Sequence, residues 1–227
     1  MILPKIYAGL PAHCNHLLIA GATGSGKSVT IHGIIAGLLL QRPRPDLAFI
    51  DLKKVELIEY KRLYNCFSYA DTAPAALDLL QDVRTAMLQR YDIMTRKQLK
   101  NWSGKPLYII IDEYAELLID SKKKCIPLIQ SIAQLGRAAG VHLIFATQCP
   151  LAKIIPTEIK LNFDGLLALR TRSAQDSRNI IGVAGAETLP RYGKGIFVCP
   201  DLLQPLRVAL PMVDEAARMR LIKDLSI

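Results

Sequence analysis

The stretch "HLLIAGATGSGKSV", residues 16–29, decides the fold. Its first five residues form a short apolar run with the look of a buried strand. Residues 21–28, "GATGSGKS", then match G-x-x-x-x-G-K-[ST] in full, and residues 27–40 continue as an apolar helix. Glycines 21, 24 and 26 allow a tight turn in which several backbone N–H groups converge on a phosphate. The helix that begins at Lys27 aims the positive end of its dipole at the same anion. Gly21, Ala22, Thr23, Gly24, Ser25, Gly26, Lys27, Ser28 and Val29 are therefore the expected nucleotide contacts. In this arrangement Lys27 reaches the β- and γ-phosphates of ATP, and the Ser28 hydroxyl ligates Mg²⁺. A glycine-rich turn matching the pattern by coincidence is the alternative, and the strand–loop–helix context weighs against it.

Working outward, further apolar runs occur at 47–52 (LAFIDL), 106–112 (PLYIIID), 142–147 (HLIFAT) and 165–170 (GLLALR). Such nearly continuous hydrophobicity suits strands buried on both faces. Longer helical stretches separate them. Residues 74–100 carry Leu77, Leu80, Val83, Met87, Leu88 and Tyr91 at helical spacing, with Pro74 where a first-turn proline belongs. Residues 124–139 form another helix. This alternation predicts an α/β fold, mainly a parallel sheet with helices on both faces. Residues 195–199 and 206–210 close it as a C-terminal antiparallel strand pair. No repeat or linker divides the chain, so residues 1–227 are expected to be a single domain. Polar and glycine residues gather at the C-terminal ends of the strands, the edge at which open α/β sheets bind ligands.

One such end is "YIIIDEY", with Asp112 and Glu113 after four apolar residues. A nucleotide hydrolase needs one carboxylate to hold Mg²⁺ through its water shell and another to polarise the attacking water. Asp112 suits the first task and Glu113 the second. Alone, the pair reads better as an acidic cap on the helix "EYAELLID"; the phosphate loop upstream turns the balance to the catalytic reading. The strand "LIFAT" ends on Gln148; if it lies beside the Asp112 strand, its amide faces the γ-phosphate, whereas otherwise Gln148 is only a solvated strand end.

The formal net charge is +9, which favours a polyanionic partner without specifying which one. The five cysteines are scattered, with no C-x-x-C pair, and the four histidines lack metal-ligand spacing. Reduced, mostly buried thiols follow. No apolar run approaches the ~20 residues of a membrane span, and the N-terminus has no signal-peptide pattern. A cytoplasmic protein is the expectation. Lys122, Lys123 and Lys124 read as a solvated turn between helices, and Trp102 as a packing residue.

Taken in order, "HLLIAGATGSGKSV", "FIDLKKVELIEY", "RYDIM", "IIIDEYAELL", "IAQLGRAAGVHLIFATQ", "DSRNIIGVAGAETL" and "GKGIFV" resemble the motor domain of the FtsK/SpoIIIE family of double-stranded DNA translocases. The resemblance implies a RecA-like P-loop NTPase fold and a homo-oligomer, a hexameric ring around double-stranded DNA, with ATP bound between subunits. It also implies a trans-acting arginine finger, which falls on Arg137 in "GRAAG"; a solvent-facing arginine at a helix end is the plain alternative. Two pore loops would grip DNA. Lys160 and Arg178 match basic family positions, and Lys153 adds charge to the first loop.

The chain departs from the family pattern at Cys149, where relatives carry arginine after "ATQ", and at Ala174, a common lysine position. It also reads as a compact member without a membrane anchor or winged-helix DNA reader. The function expected is ATP-driven translocation of double-stranded DNA by an ATPase. The alternatives are a ring ATPase serving conjugative coupling or protein secretion, or a nucleotide-gated DNA-binding module without translocation.

Overall fold

The computed structural model describes residues 14–148, 157–210 and 212–226, without the side chains of 157 and 158. Its strands are β1 (Leu17–Ala20), β2 (Asp46–Ile50), β3 (Cys66–Ala70), β4 (Leu107–Ile111), β5 (Val141–Thr147), β6 (Gly165–Ala168), β7 (Lys194–Val198) and β8 (Leu206–Ala209). The helices are α1 (Lys27–Leu39), α2 (Ala73–Arg96), α3 (Tyr114–Asp120), α4 (Cys125–Ala139), α5 (Thr157–Lys160), α6 (Ala174–Ile181) and α7 (Glu215–Asp224). All eight strands form one sheet in the order β3-β2-β4-β5-β1-β6-β7-β8. Pairing is parallel from β3 to β6 and antiparallel for β6–β7 and β7–β8.

Alternation along the strands builds a core on each face of the sheet. Leu17 and Ile19 of β1 join Phe49, Ile110 and Ile144 against Ile31, Ile34 and Leu38 of α1. Leu18 points the other way, with Ile109, Leu143 and Phe145, against Val83 and Met87 of α2 and Ile129 and Ile132 of α4. Burial on both faces is why these strands lack a polar side. The expected α/β architecture, with helices on both faces, is thus the observed one.

Local chemistry sets the helix ends. Thr72 caps α2 by accepting from the Ala75 N–H at 3.4 Å, with proline in the first turn. Helix α4 stops at Gly140, whose φ of 63° is left-handed. Arg90 donates to the Ala139 and Gly140 carbonyls at that end, at 2.9 and 3.0 Å, and stacks over Trp102. Trp102 is a packing residue here, its indole N–H donating to the Lys105 carbonyl. The three lysines at 122–124 form an exposed turn between α3 and α4, as expected. Of the cysteines described, Cys14, Cys125 and Cys199 are buried free thiols and Cys66 is partly exposed.

The structure adds elements absent from the sequence reading. Strand β3 forms one edge of the sheet, helices α6 and α7 are new, and the antiparallel section begins at β6 rather than comprising the last two strands alone. Among the described residues no helix is long and apolar enough to cross a membrane.

Candidate nucleotide site

The loop after β1 lies at the C-terminal edge of the parallel strands, anchored on both flanks. Gly21 N–H donates to the Thr147 carbonyl at the end of β5, and Ala22 N–H to the Arg170 carbonyl beyond β6. A Cβ on Gly21 would come within 2.6 Å of the Ser25 hydroxyl and 2.8 Å of Leu169, so close approach requires glycine there. Gly26 takes φ 95° immediately before α1, a conformation that turns the chain into the helix. Lys27 is 7% exposed and its ammonium donates to the Gly21 carbonyl at 3.3 Å. Burial pushes its pKa down, while the Glu113 and Asp112 carboxylates oppose that shift. A buried ammonium folded back on its own loop, with acids nearby, is preorganised to meet a phosphate.

Strand β5 lies between β1 and β4, so the tips carrying the phosphate loop, Gln148 and Asp112 stand in a row. Glu113 has two jobs at once. Its carboxylate caps α3 by accepting from the Ala115 N–H at 3.4 Å, as the cap reading of the sequence anticipates. It also accepts from the Thr147 hydroxyl at 2.7 Å and from the Gln148 N–H at 3.0 and 3.2 Å. The Gln148 side chain turns towards the phosphate loop, where its carbonyl oxygen accepts from the Thr23 hydroxyl at 2.7 Å. The pairing expected between the strand of Gln148 and that of Asp112 is therefore present, and Gln148 physically links Glu113 to the loop.

Asp112 is 8% exposed and its pKa is raised to about 6. Burial is the main cause, and repulsion from Glu56, Asp51 and Glu113 adds to it, with Lys53 opposing. Asp51 ends β2 beside it and accepts from the Leu57 N–H at 2.8 Å, shaping the loop that carries Lys53 and Glu56. The sequence reading did not place Asp51 or Glu56 at the site. The signal was available, since "LAFID" ends on an acid in the same way as "YIIID". Thr147 was also missed as the anchor of Glu113.

The other candidates lie elsewhere. Arg137 is exposed in the last turn of α4, which feeds the start of β5. The seven residues of β5 separate that end from Thr147 by roughly 20 Å, so Arg137 is remote from its own phosphate loop. Lys160 donates to the Asn179 carbonyl at 2.5 Å, and burial pushes its ammonium down. Arg178 is exposed on α6. These two therefore share the α5–α6 side of the molecule. Cys149, Pro150 and Lys153 lie outside the described residues.

A phosphate loop between strand and helix, with an acid pair at the tip of the next strand but one along the same edge of a parallel sheet, defines the class of P-loop ATPases. Within that class the chain belongs to the FtsK/SpoIIIE family, whose model matches residues 4–108 and 103–152. It is 35% identical over 220 residues to the DNA translocase FtsK of Chlorobaculum tepidum, covering 87% of this chain and 27% of that protein. Identity to the DNA translocase FtsK of Staphylococcus epidermidis is 38% over 205 residues, covering 81% and 26%. The chain thus spans about a quarter of the length of these curated relatives. Among solved structures, the pCW3 conjugation coupling protein TcpA, in its monomer form with ATPγS, superposes with a TM-score of 0.79 at 25% identity, covering 92% of this chain and 64% of TcpA. The cytoplasmic domain of the type VII secretion ATPase EccC of Thermomonospora curvata shares the fold, with a TM-score of 0.78 at 24% identity, covering 93% and 28%.

Proposed function

We propose that residues 1–227 form a single motor domain that hydrolyses ATP to move double-stranded DNA, acting in the cytoplasm as a ring, hexameric by family resemblance. The observation that carries this reading is the Glu113 carboxylate, held by Thr147 and Gln148 on the strand tip next to the phosphate loop. In that position it can accept a proton from water attacking the γ-phosphate. Lys27 and the loop N–H groups bind the phosphates, and Gln148, bonded to Thr23, senses whether the terminal phosphate is present. Arg137 of one subunit serves the nucleotide of the next, because it is too far from its own. The donor set fits Mg²⁺: Ser28 offers a hydroxyl at the helix start, and Asp112 is a buried acid whose repulsion from its neighbours a cation would relieve. When bound, Mg²⁺ neutralises charge on the phosphates. Lys153, Lys160 and Arg178 are the proposed backbone contacts to DNA, supported by the net charge of +9.

The test is ATPase turnover with and without long duplex DNA. Stimulation by duplex, abolished in Lys27→Ala and Glu113→Gln, supports the reading. An active, oligomeric preparation that neither duplex nor single strands stimulate refutes translocation. The likeness to a conjugation coupling protein favours a second reading, a related ring ATPase acting as a conjugative coupling or protein-secretion engine. Competition with duplex at rising salt tests it: a steep salt slope supports phosphate contacts, and no binding supports a protein cargo.

A further inference from the structure

On the β6 flank of the phosphate loop lies a polar cavity of about 450 Å³. Its walls are loop residues 22–25 on one side and Arg170, Thr171, Arg172, Glu187 and Arg191 on the other. Arg191 overhangs the loop: its guanidinium comes within 3.2 Å of the point a Cβ on Gly24 would occupy. The acids and Gln148 occupy the opposite flank, because β5 and β6 lie on either side of β1. This cavity is within reach of the sugar and base of a triphosphate whose terminal phosphate lies between Lys27 and Glu113.

The cavity is unusual for a base pocket. Little of its lining is apolar and three of its side chains are arginines, one of which, Arg191, also lies 5.5 Å from the centroid of the adjacent Tyr192 ring. A guanidinium plane stacks on any base, and its fork donates to acceptors such as guanine O6 and N7. An adenine amino group also has acceptors within the lining. Glu187 accepts from the Gly185 N–H at 2.8 Å through one oxygen and keeps the other, and the Thr171 hydroxyl, which donates to the Ser173 carbonyl, keeps its lone pairs, so either base finds partners. We infer that Arg191, aided by Arg172, is the base-holding residue of this site, and that it grips the nucleotide by stacking with little discrimination between adenine and guanine. This inference rests on the phosphate-loop reading above.

Calorimetric binding of ATP, GTP and inorganic tripolyphosphate to the full chain tests it, with Arg191→Ala, Arg191→Lys and Lys27→Ala variants. Expected is ATP and GTP affinity within about fivefold of each other in the unmodified protein. Arg191→Ala should weaken both nucleotides about tenfold and leave tripolyphosphate unchanged, and Arg191→Lys should not rescue, because the flat stacking surface is gone. A preference for ATP beyond fiftyfold overturns the inference, as does an equal loss of tripolyphosphate and nucleotide in Arg191→Ala, or full rescue by lysine. Tripolyphosphate binding that is absent, or unaffected by Lys27→Ala, points instead to failure of the phosphate-loop reading itself. Circular dichroism melts of each variant identify any that do not fold.

Discussion

Replacing Thr147 with valine isolates the contact on which the proposed chemistry turns. The residue is 0% exposed at the end of β5, and its hydroxyl makes the shortest contact to Glu113, 2.7 Å. Valine has nearly the same shape and suits a strand, so the core should close around it unchanged. What disappears is one donor to a carboxylate, in a class of hydrogen bond contributing about 1.5–3 kcal/mol. The Gln148 N–H at 3.0 Å and the Ala115 N–H at 3.4 Å remain, so the carboxylate stays in place but loses its orientation. If about half of the lost energy is expressed in the transition state, kcat falls roughly 3- to 10-fold, since about 1.4 kcal/mol is one decade. Glu113 does not hold the nucleotide in this account, so KM for ATP should stay within about twofold. Stability should fall by about 1 kcal/mol or less, because the half-buried carboxylate can exchange the lost donor for water. Steady-state turnover at saturating duplex DNA, beside thermal melts, reads all three quantities, and Thr147→Ser is the control that restores the hydroxyl. An unchanged kcat, or a raised KM with kcat intact, refutes the assignment of Glu113 as the oriented base.

Three other perturbations follow from the same geometry. Asp112→Asn should stabilise the apo protein at pH 8 by roughly 2–3 kcal/mol, because the raised pKa of about 6 marks a charge the fold resists. The sign follows from linkage: the folded acid holds its proton up to about 6 and the unfolded one only to about 4, so wild-type stability falls as pH rises through that window, and the melts of variant and wild type should converge below pH 4. Arg137→Ala should leave nucleotide affinity and melting temperature unchanged, since the side chain is exposed, while abolishing turnover; mixing it with Lys27→Ala should recover activity, and failure of that complementation removes the trans role. Arg90→Ala should lower stability by about 1–3 kcal/mol, by stripping the Ala139 and Gly140 carbonyls of a charged donor and Trp102 of its stacking partner, as denaturant melts will report.

The sequence revealed most of the parallel sheet because strands buried on both faces must be apolar throughout, and such runs stand out. Strand β3 did not stand out. "CFSYA" is a partly exposed edge strand of mixed polarity, without either the continuous or the alternating pattern that marks a strand. Helices α6 and α7 are short and only partly buried, so their apolar spacing is thin. In the site, the phosphate loop is a contiguous motif whose chemistry dictates its spacing, and it could be read directly. Thr147 and Glu113 are 34 residues apart, and Thr23 and Gln148 are 125 apart; only the order of strands brings them together. The convergence of Arg191 on Gly24 was invisible for the same reason.

The placement of Arg137 at one end of β5 and the phosphate loop at the other has a consequence for stoichiometry. On the proposed reading the joint is made from two different edges of the molecule, a heterologous contact rather than the self-complementary patch of a two-fold pair. In that proposed arrangement, copies follow head to tail. An open row of such copies always has one fewer complete site than it has subunits, with an idle loop at one end and an idle arginine at the other. Closure removes that deficit, so on the proposed reading the turnover per subunit should rise with concentration in step with the fraction of closed assemblies.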